Sequence, residues 1–148
     1  MVFIGLFFFL ASSVFCNEYE PPAWFKPGLT EQIIKSELQK LKVPFETKYS
    51  GRYSWTIKGI LYEIDFDDLG FDMEINIPET SRINIKTVFA YFKSKYGEPT
   101  EEYDEGASWT MERNGWSYTV SIDRMYVEDV KNKTIQTIYV SITHEYEK

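Results

Sequence analysis

The feature that most constrains this sequence is an alternation of apolar and acidic side chains in the segment YEIDFDDLGFDMEIN, residues 62–76. A period of two places the apolar side chains on one face of a strand and the acidic side chains on the other. The turn-forming residues Asp67 to Gly70 divide the segment into the two strands of a hairpin. The segment therefore predicts an antiparallel sheet with one buried face and one face toward water.

Two registers are open for this hairpin, and both oppose like charges. If the whole loop is left unpaired, Asp65 faces Asp72 and Glu63 faces Glu74. A tighter turn sets Asp65 against Glu74 and Asp67 against Asp72. Opposed like charges disfavour strand pairing by about 0.2 to 1 kcal/mol each, a cost that an apolar face can outweigh.

The hairpin also carries most of the net charge of −7. Residues 60–77 contain six acids and no base, so the remaining 17 acids nearly balance the 16 bases of the chain. The acidic face has two interpretations beyond a solubilising one. It can dock a basic protein surface, or it can hold a calcium ion in a fragment of an EF-hand loop, although Leu69 and Asn76 depart from that pattern. The candidate binding residues are Glu63, Asp65, Asp67, Asp72, Glu74 and the aromatic residue Tyr139, which is expected to be exposed.

A unit of one helix and three strands is predicted to occur twice. Thr30 can cap a first helix with an apolar stripe at Ile34, Leu38 and Leu41, and a second helix shows the same spacing from Ile85 to Tyr96. The predicted strands are 53–57, 60–66, 71–77, 108–111, 116–123 and 134–144. Ser-Trp-Thr recurs at an offset of 54 residues, at positions 54–56 and 108–110.

The predicted fold class is α+β, with two tandem α-β-β-β units, residues 29–78 and 80–148, in a single domain that spans 29–148. The units form one antiparallel sheet with the helices packed on one face. The apolar face that the helices cover is expected to hold Ile60, Tyr62, Ile64, Phe66, Phe71, Met73, Ile75, Ile77, Ile138, Val140 and Ile142.

The N-terminal residues 1–16 carry no charge and are too short to span a bilayer, so they predict a secretory signal peptide. Cys16 is either lipidated, as in a bacterial lipoprotein, or removed with the signal. Residues 17–28 are expected to be a linker whose Trp24 and Phe25 either dock on the body or engage a partner. The predicted location is extracytoplasmic, meaning periplasmic, secreted or lipid-anchored, without an integral membrane segment after cleavage.

The composition argues against two classes of function. A pI near 4.8 disfavours nucleic-acid binding, which needs clustered basic residues. The sole histidine, His144, is expected at the rim of the last strand, so there is little material for nucleophilic or metal chemistry. We therefore expect an exported, non-enzymatic binding protein of the bacterial envelope. The alternatives are an inhibitor or immunity protein that blocks a secreted enzyme, and a carboxylate-based hydrolase.

The motifs Gly97-Glu98-Pro99, Trp109 and Trp116-Ser117-Tyr118 carry a resemblance to a known group. The chain resembles the small bacterial envelope proteins of the SmpA/OmlA outer-membrane-assembly type and the β-lactamase-inhibitor-protein group. The resemblance covers residues 82–123, while the first unit departs from it at Val43-Pro44, where the glycine is missing. It implies a helix, a Gly-x-Pro break and a three-stranded sheet in a protein that acts by binding outside the cytoplasm.

Overall fold

The structure is a computed structural model that describes residues 19–49, 51–66, 70–128 and 133–146. The predicted signal peptide with Cys16, and also Asp67, lie outside the described residues. The chain forms two helices and eight strands in the order α1 (Glu31–Leu41), β1 (Phe45–Tyr49), β2 (Arg52–Ile57), β3 (Ile60–Phe66), β4 (Gly70–Pro78), α2 (Ile85–Tyr96), β5 (Glu101–Tyr103), β6 (Gly106–Arg113), β7 (Trp116–Glu128) and β8 (Thr134–Tyr146).

All eight strands belong to one antiparallel sheet with the order β1-β2-β3-β4-β8-β7-β6-β5. Each half of the chain supplies one helix and four strands, so the prediction of three strands per half was wrong. The additional strands, β1 and β5, are the two edges of the sheet. Both are short and mostly polar, as edge strands often are, and so they lack the alternation that marks the inner strands.

Strand β7 is longer than the sequence predicted. Its pairing with β8 continues from Asp123 opposite Tyr139 to Glu128 opposite Thr134, whereas the predicted strand ended at Asp123. The segment from Arg124 to Val127 does not alternate, and it is held in the strand by its partner. The two strands thus extend past the neighbouring β6 and β4 as an arm.

The predicted helix ends are confirmed at most positions. The Thr30 hydroxyl accepts a hydrogen bond from the amide of Ile33 at the start of α1. Asn84 and Thr87 form a reciprocal capping box at the start of α2, and Gly97 ends this helix with a φ of 87°. Leu41 was expected in the apolar stripe of α1 but remains 42% exposed, because it lines a shallow groove.

One face of the sheet forms the hydrophobic core, as the alternation predicted. A buried row crosses six strands through Tyr53, Ile64, Met73, Ile142, Val120 and Trp109. Ile34 and Leu38 of α1 and Val88 and Phe92 of α2 are buried in the same cluster. Among the described residues, neither helix is long and apolar enough to cross a membrane.

The described part of the predicted linker packs against the body. Tyr19, Phe25 and Leu29 are buried members of the core. The Phe25 ring meets Phe71 edge-on at 5.1 Å, and the Trp24 ring lies 6.2 Å from that of Trp55. Of the two roles open to Trp24 and Phe25 in the sequence, the structure supports docking on the body.

Candidate functional site

The acidic hairpin adopts the first of the two registers considered above. Asp65 pairs with Asp72 and Glu63 pairs with Glu74 across β3 and β4. These four residues alternate with the buried Tyr62, Ile64, Phe71, Met73 and Ile75, so they lie on the opposite face of the sheet. Like charges therefore do meet across the strands.

The guanidinium of Arg52 lies among these carboxylates. The Nη1 atom of Arg52 is 3.3 Å from Oδ2 of Asp65, and its Nη2 atom is 3.7 Å from Oε2 of Glu63 and 3.6 Å from Oε2 of Glu74. Arg52 is the first residue of β2, and the strand pairing sets it directly opposite Asp65. One cation thus offsets part of the repulsion within the hairpin.

Tyr49 at the end of β1 completes the arrangement. Its hydroxyl donates to Oδ2 of Asp65 at 2.9 Å and accepts from Nη1 of Arg52 at 3.1 Å. The hydrogen bond with Tyr49, together with the charges of Glu63 and Glu74, raises the pKa of the Arg52 guanidinium against the opposing effect of burial. The guanidinium is consequently a fixed positive charge within the site.

Burial in the cluster is uneven. Glu63 is only 8% exposed, so the expectation that it projects into water was wrong. It lies in the sheet between Ser54 of β2 and Glu74 of β4. Asp65, Asp72 and Glu74 are half-buried. With all groups ionised, these four carboxylates exceed the Arg52 guanidinium by three negative charges.

Tyr139 of β8 extends the same face. It pairs with Asn76 of β4 and is out of phase with the buried Ile138 and Val140, as predicted. Burial and a hydrogen bond with Glu74 raise the pKa of its hydroxyl. Tyr139 is half-buried instead of fully exposed.

The second half of the face carries hydroxyl groups in place of carboxylates. Glu74 continues into a row of serines across β8, β7 and β6, and Asp72 continues into a row of threonines on the same strands. The hydroxyl oxygens of Thr110 and Thr119 are 3.3 Å apart, so the two side chains share a hydrogen bond. The rows are Ser141, Ser121 and Ser108, and Thr143, Thr119 and Thr110.

The sequence-predicted binding residues are thus brought together in part. Glu63, Asp65, Asp72, Glu74 and Tyr139 share one face, while Asp67, which the calcium prediction also needs, lies outside the described residues. Within the described ranges, no group of three His, Cys, Asp or Glu residues is placed to hold a metal ion.

Sequence reasoning missed Arg52 and Tyr49, although one signal for Arg52 was present. The two-residue turn at Lys58 and Gly59, with φ values of 52° and 81°, closes the hairpin of β2 and β3. Counting back from that turn places position 52 opposite position 65. Tyr49 belongs to an edge strand that the sequence did not reveal.

The prediction for His144 was also wrong. It was expected at the rim of the last strand, yet it is only 7% exposed on the core face. Its ring stacks on Phe71 at 4.8 Å and lies 4.6 Å from the ring of Tyr118. Burial lowers the pKa of the imidazole to about 4, so the ring is neutral at pH 7.

Comparison of this chain with protein-family models, with curated proteins and with solved structures found no match. The resemblance to the envelope proteins remains a prediction from the motifs. The function is therefore inferred from the geometry of the chain's own residues.

Proposed function

We propose that this chain is an exported, non-enzymatic binding protein whose acidic sheet face contacts a basic surface of a partner protein. The single observation that carries the proposal is the convergence of Glu63, Asp65, Asp72 and Glu74 on one face, where the guanidinium of Arg52 contacts Glu63, Asp65 and Glu74 at 3.3 to 3.7 Å. Clustered charge of one sign steers the approach of an oppositely charged partner and fixes its orientation.

The proposed architecture puts both helices on the side of the sheet opposite this face. We take the two halves to be copies of one unit and both helices to cover the core face. In support, the Tyr53 hydroxyl bonds Glu31 of α1, the Trp109 ring is 6.0 Å from that of Phe92 in α2, and both residues lie on one buried row.

The geometry of the cluster favours a binding role over a purely solubilising one. Solubilising charges work best when they are fully hydrated and mobile, whereas Asp65 and Glu74 are half-buried and held by Arg52 and by tyrosine hydroxyls. Side chains that are already ordered lose less conformational entropy when a partner binds. The neighbouring serine and threonine rows can donate hydrogen bonds at the edge of such an interface.

The location belongs to the same proposal. The uncharged residues 1–16 fit a secretory signal, and a partner would then be met outside the cytoplasm. Mass spectrometry of the mature protein tests this part, because cleavage removes the signal, whereas lipidation at Cys16 adds the mass of acyl chains.

The binding role is tested by two substitutions that neutralise carboxylates and keep the shape of the side chains. The variant Asp72→Asn/Glu74→Gln and the wild-type protein are each immobilised and exposed to an envelope and secreted extract of the source organism, and the captured protein is then purified for titration. We expect the double variant to bind at least about tenfold more weakly, and the wild-type affinity to fall as salt screens the charges.

The matched control is Asp104→Asn, which removes one charge from an exposed turn between β5 and β6 at the far edge of the sheet. It should bind like the wild type. Equal binding by all three proteins, or an affinity that is independent of salt, would contradict the proposal. A captured secreted enzyme that loses activity in the complex would identify the protein as an inhibitor within the same binding class.

A further inference from the structure

A second site lies on the other face of the sheet, at the end of the hydrophobic core. A cavity of about 720 Å³ opens between the C-terminal end of α2 and strands β6, β7 and β8. Its volume falls within the range of about 300 to 1,000 Å³ that is typical of small-molecule sites. The side chains that form its apolar wall are Tyr96, Met111, Trp116, Tyr118 and His144.

The residue His144 lines this cavity, and its imidazole carries a polar atom that the described residues leave unused. The ring is held between Phe71 and Tyr118, and its Nδ1 atom is buried without a hydrogen-bond partner among the described residues. A buried polar atom that is left unpaired destabilises a fold, and a ligand that supplies the missing hydrogen bond removes that penalty.

A pair of hydroxyls offers a further contact on the cavity wall. The oxygens of Tyr96 and Tyr118 are 3.2 Å apart, so one hydroxyl donates to the other. Because each phenol has a single proton, the accepting hydroxyl keeps its own proton for a third group. The wall is thus aromatic, and its pair of hydroxyls retains one proton that can be donated to a ligand.

The charges near the cavity select against an anionic ligand. The ammonium of Lys95 is already paired with Glu20, at 2.5 Å. Glu112 adds a negative charge to the lining, and the described lining residues contain no other cation. An anion would find no described positive charge that is not already matched by a carboxylate.

We propose that this cavity binds an uncharged, planar aromatic molecule whose hydroxyl group hydrogen-bonds to Nδ1 of His144, after a rotation of the imidazole brings this atom from its buried position to the cavity wall. A hydroxyl is both a donor and an acceptor, so it satisfies either tautomer of the neutral imidazole. The aromatic body of the ligand packs on Trp116 and Tyr118. This site is independent of the acidic face, because His144 and Phe71 lie on the core side of the sheet.

The first test uses the unmodified protein and three probes that share the naphthalene ring: 2-naphthol, naphthalene and 2-naphthalenesulfonate. His144 is the sole histidine of the chain, so its two ring nitrogens give one pair of NMR signals. We expect 2-naphthol to shift the Nδ1 signal and to bind about tenfold more tightly than naphthalene, because only the phenol supplies the hydrogen bond. The sulfonate should bind more weakly than 2-naphthol.

The second test compares His144→Phe with Asp104→Asn, the distant surface variant. His144→Phe should stay folded, because it replaces an aromatic ring by another and removes an unpaired polar atom, and it should bind 2-naphthol no better than naphthalene. Asp104→Asn should keep the wild-type preference. Equal affinities of 2-naphthol and naphthalene for the wild type, an unshifted Nδ1 signal, or no binding of any probe would overturn the proposal.

Discussion

At the scale of single residues, Arg52 explains why the sheet tolerates opposed carboxylates. Its guanidinium contacts Glu63, Asp65 and Glu74 at 3.3 to 3.7 Å and bonds the hydroxyl of Tyr49. A planar group with five donors can serve several acceptors at once, which a lysine ammonium does less well. The repulsion between the carboxylates of β3 and β4 is therefore reduced by a side chain of a third strand, β2.

Replacing this cation should expose the repulsion that it offsets. We expect Arg52→Gln to lower the free energy of unfolding by about 2 kcal/mol at pH 7 in urea denaturation, because Glu63 is left buried without the guanidinium. Arg82→Gln, at an exposed position before α2, serves as the control and should change little. Adding Glu63→Gln to Arg52→Gln should restore part of the lost stability. Equal free energies of unfolding for Arg52→Gln and Arg82→Gln would show that Arg52 does not offset this repulsion.

His144 gives the fold a dependence on pH that can be isolated. The imidazole has a pKa of 6.5 in its ordinary state and of about 4 in the folded protein, because burial disfavours its charged form. Between these two values the unfolded chain binds a proton that the folded protein does not, so acidification favours unfolding.

The wild type should therefore lose stability, relative to His144→Phe, as the pH falls from 6.5 to 4. The relative loss should approach about 3 kcal/mol, given about 1.4 kcal/mol per unit of pKa. Urea denaturation of both proteins at several pH values measures it, and the carboxylates common to both proteins cancel in the difference. A difference that stays constant with pH would show that the imidazole does not titrate in this way.

At the scale of elements, strand β4 depends on the absence of a side chain at its first residue. Gly70 pairs with Glu145 of β8, and a Cβ atom there would collide with the carbonyl oxygen of His144. The colliding atom is backbone within a strand, so it cannot move without disturbing the pairing. The glycine thus allows β4 and β8 to approach closely at this end.

We expect Gly70→Ala to lower the melting temperature far more than Gly28→Ala. Gly28 has a φ of 88° but open space around it, so alanine there costs about 1 kcal/mol from backbone strain alone. The collision at Gly70 should cost about 2 kcal/mol or more. Thermal unfolding followed by circular dichroism compares the two, and similar melting temperatures would contradict the close approach.

At the scale of the whole molecule, the two halves of the chain meet along β4 and β8. Nine residue pairs, from Gly70 with Glu145 to Pro78 with Thr137, form this seam. Arg124 of β7 adds a second link, because its guanidinium is 3.2 Å from Oε1 of Glu79 after β4 and 3.2 Å from Oε1 of Glu105. The sheet is continuous across the two halves, so its acidic and hydroxyl-rich areas form one surface.

The continuous sheet also separates the two proposed sites. The carboxylates of β3 and β4 face one side, while His144 and the aromatic cavity belong to the other. Loss of one binding activity by substitution should therefore leave the other intact, so the proposals fail or hold independently.

Much of this arrangement could be predicted because it depends on local patterns. Alternation in residues 60–77 determined strands β3 and β4 and the face on which each side chain lies, and the spacing from Ile85 to Tyr96 determined α2. The edge strands β1 and β5 escaped prediction, because short polar strands are stabilised by a neighbouring strand instead of by a buried face.

By itself the sequence determined the two faces of the hairpin, the helices and the concentration of negative charge, since each of these follows from side chains close together in the chain. Only the tertiary structure decided that Glu63 is buried beside Arg52. It likewise placed His144 in the core, with a ring nitrogen to which no described residue hydrogen-bonds. Burial and ion pairing depend on strands that are distant in sequence, and no local pattern encodes which of them become neighbours.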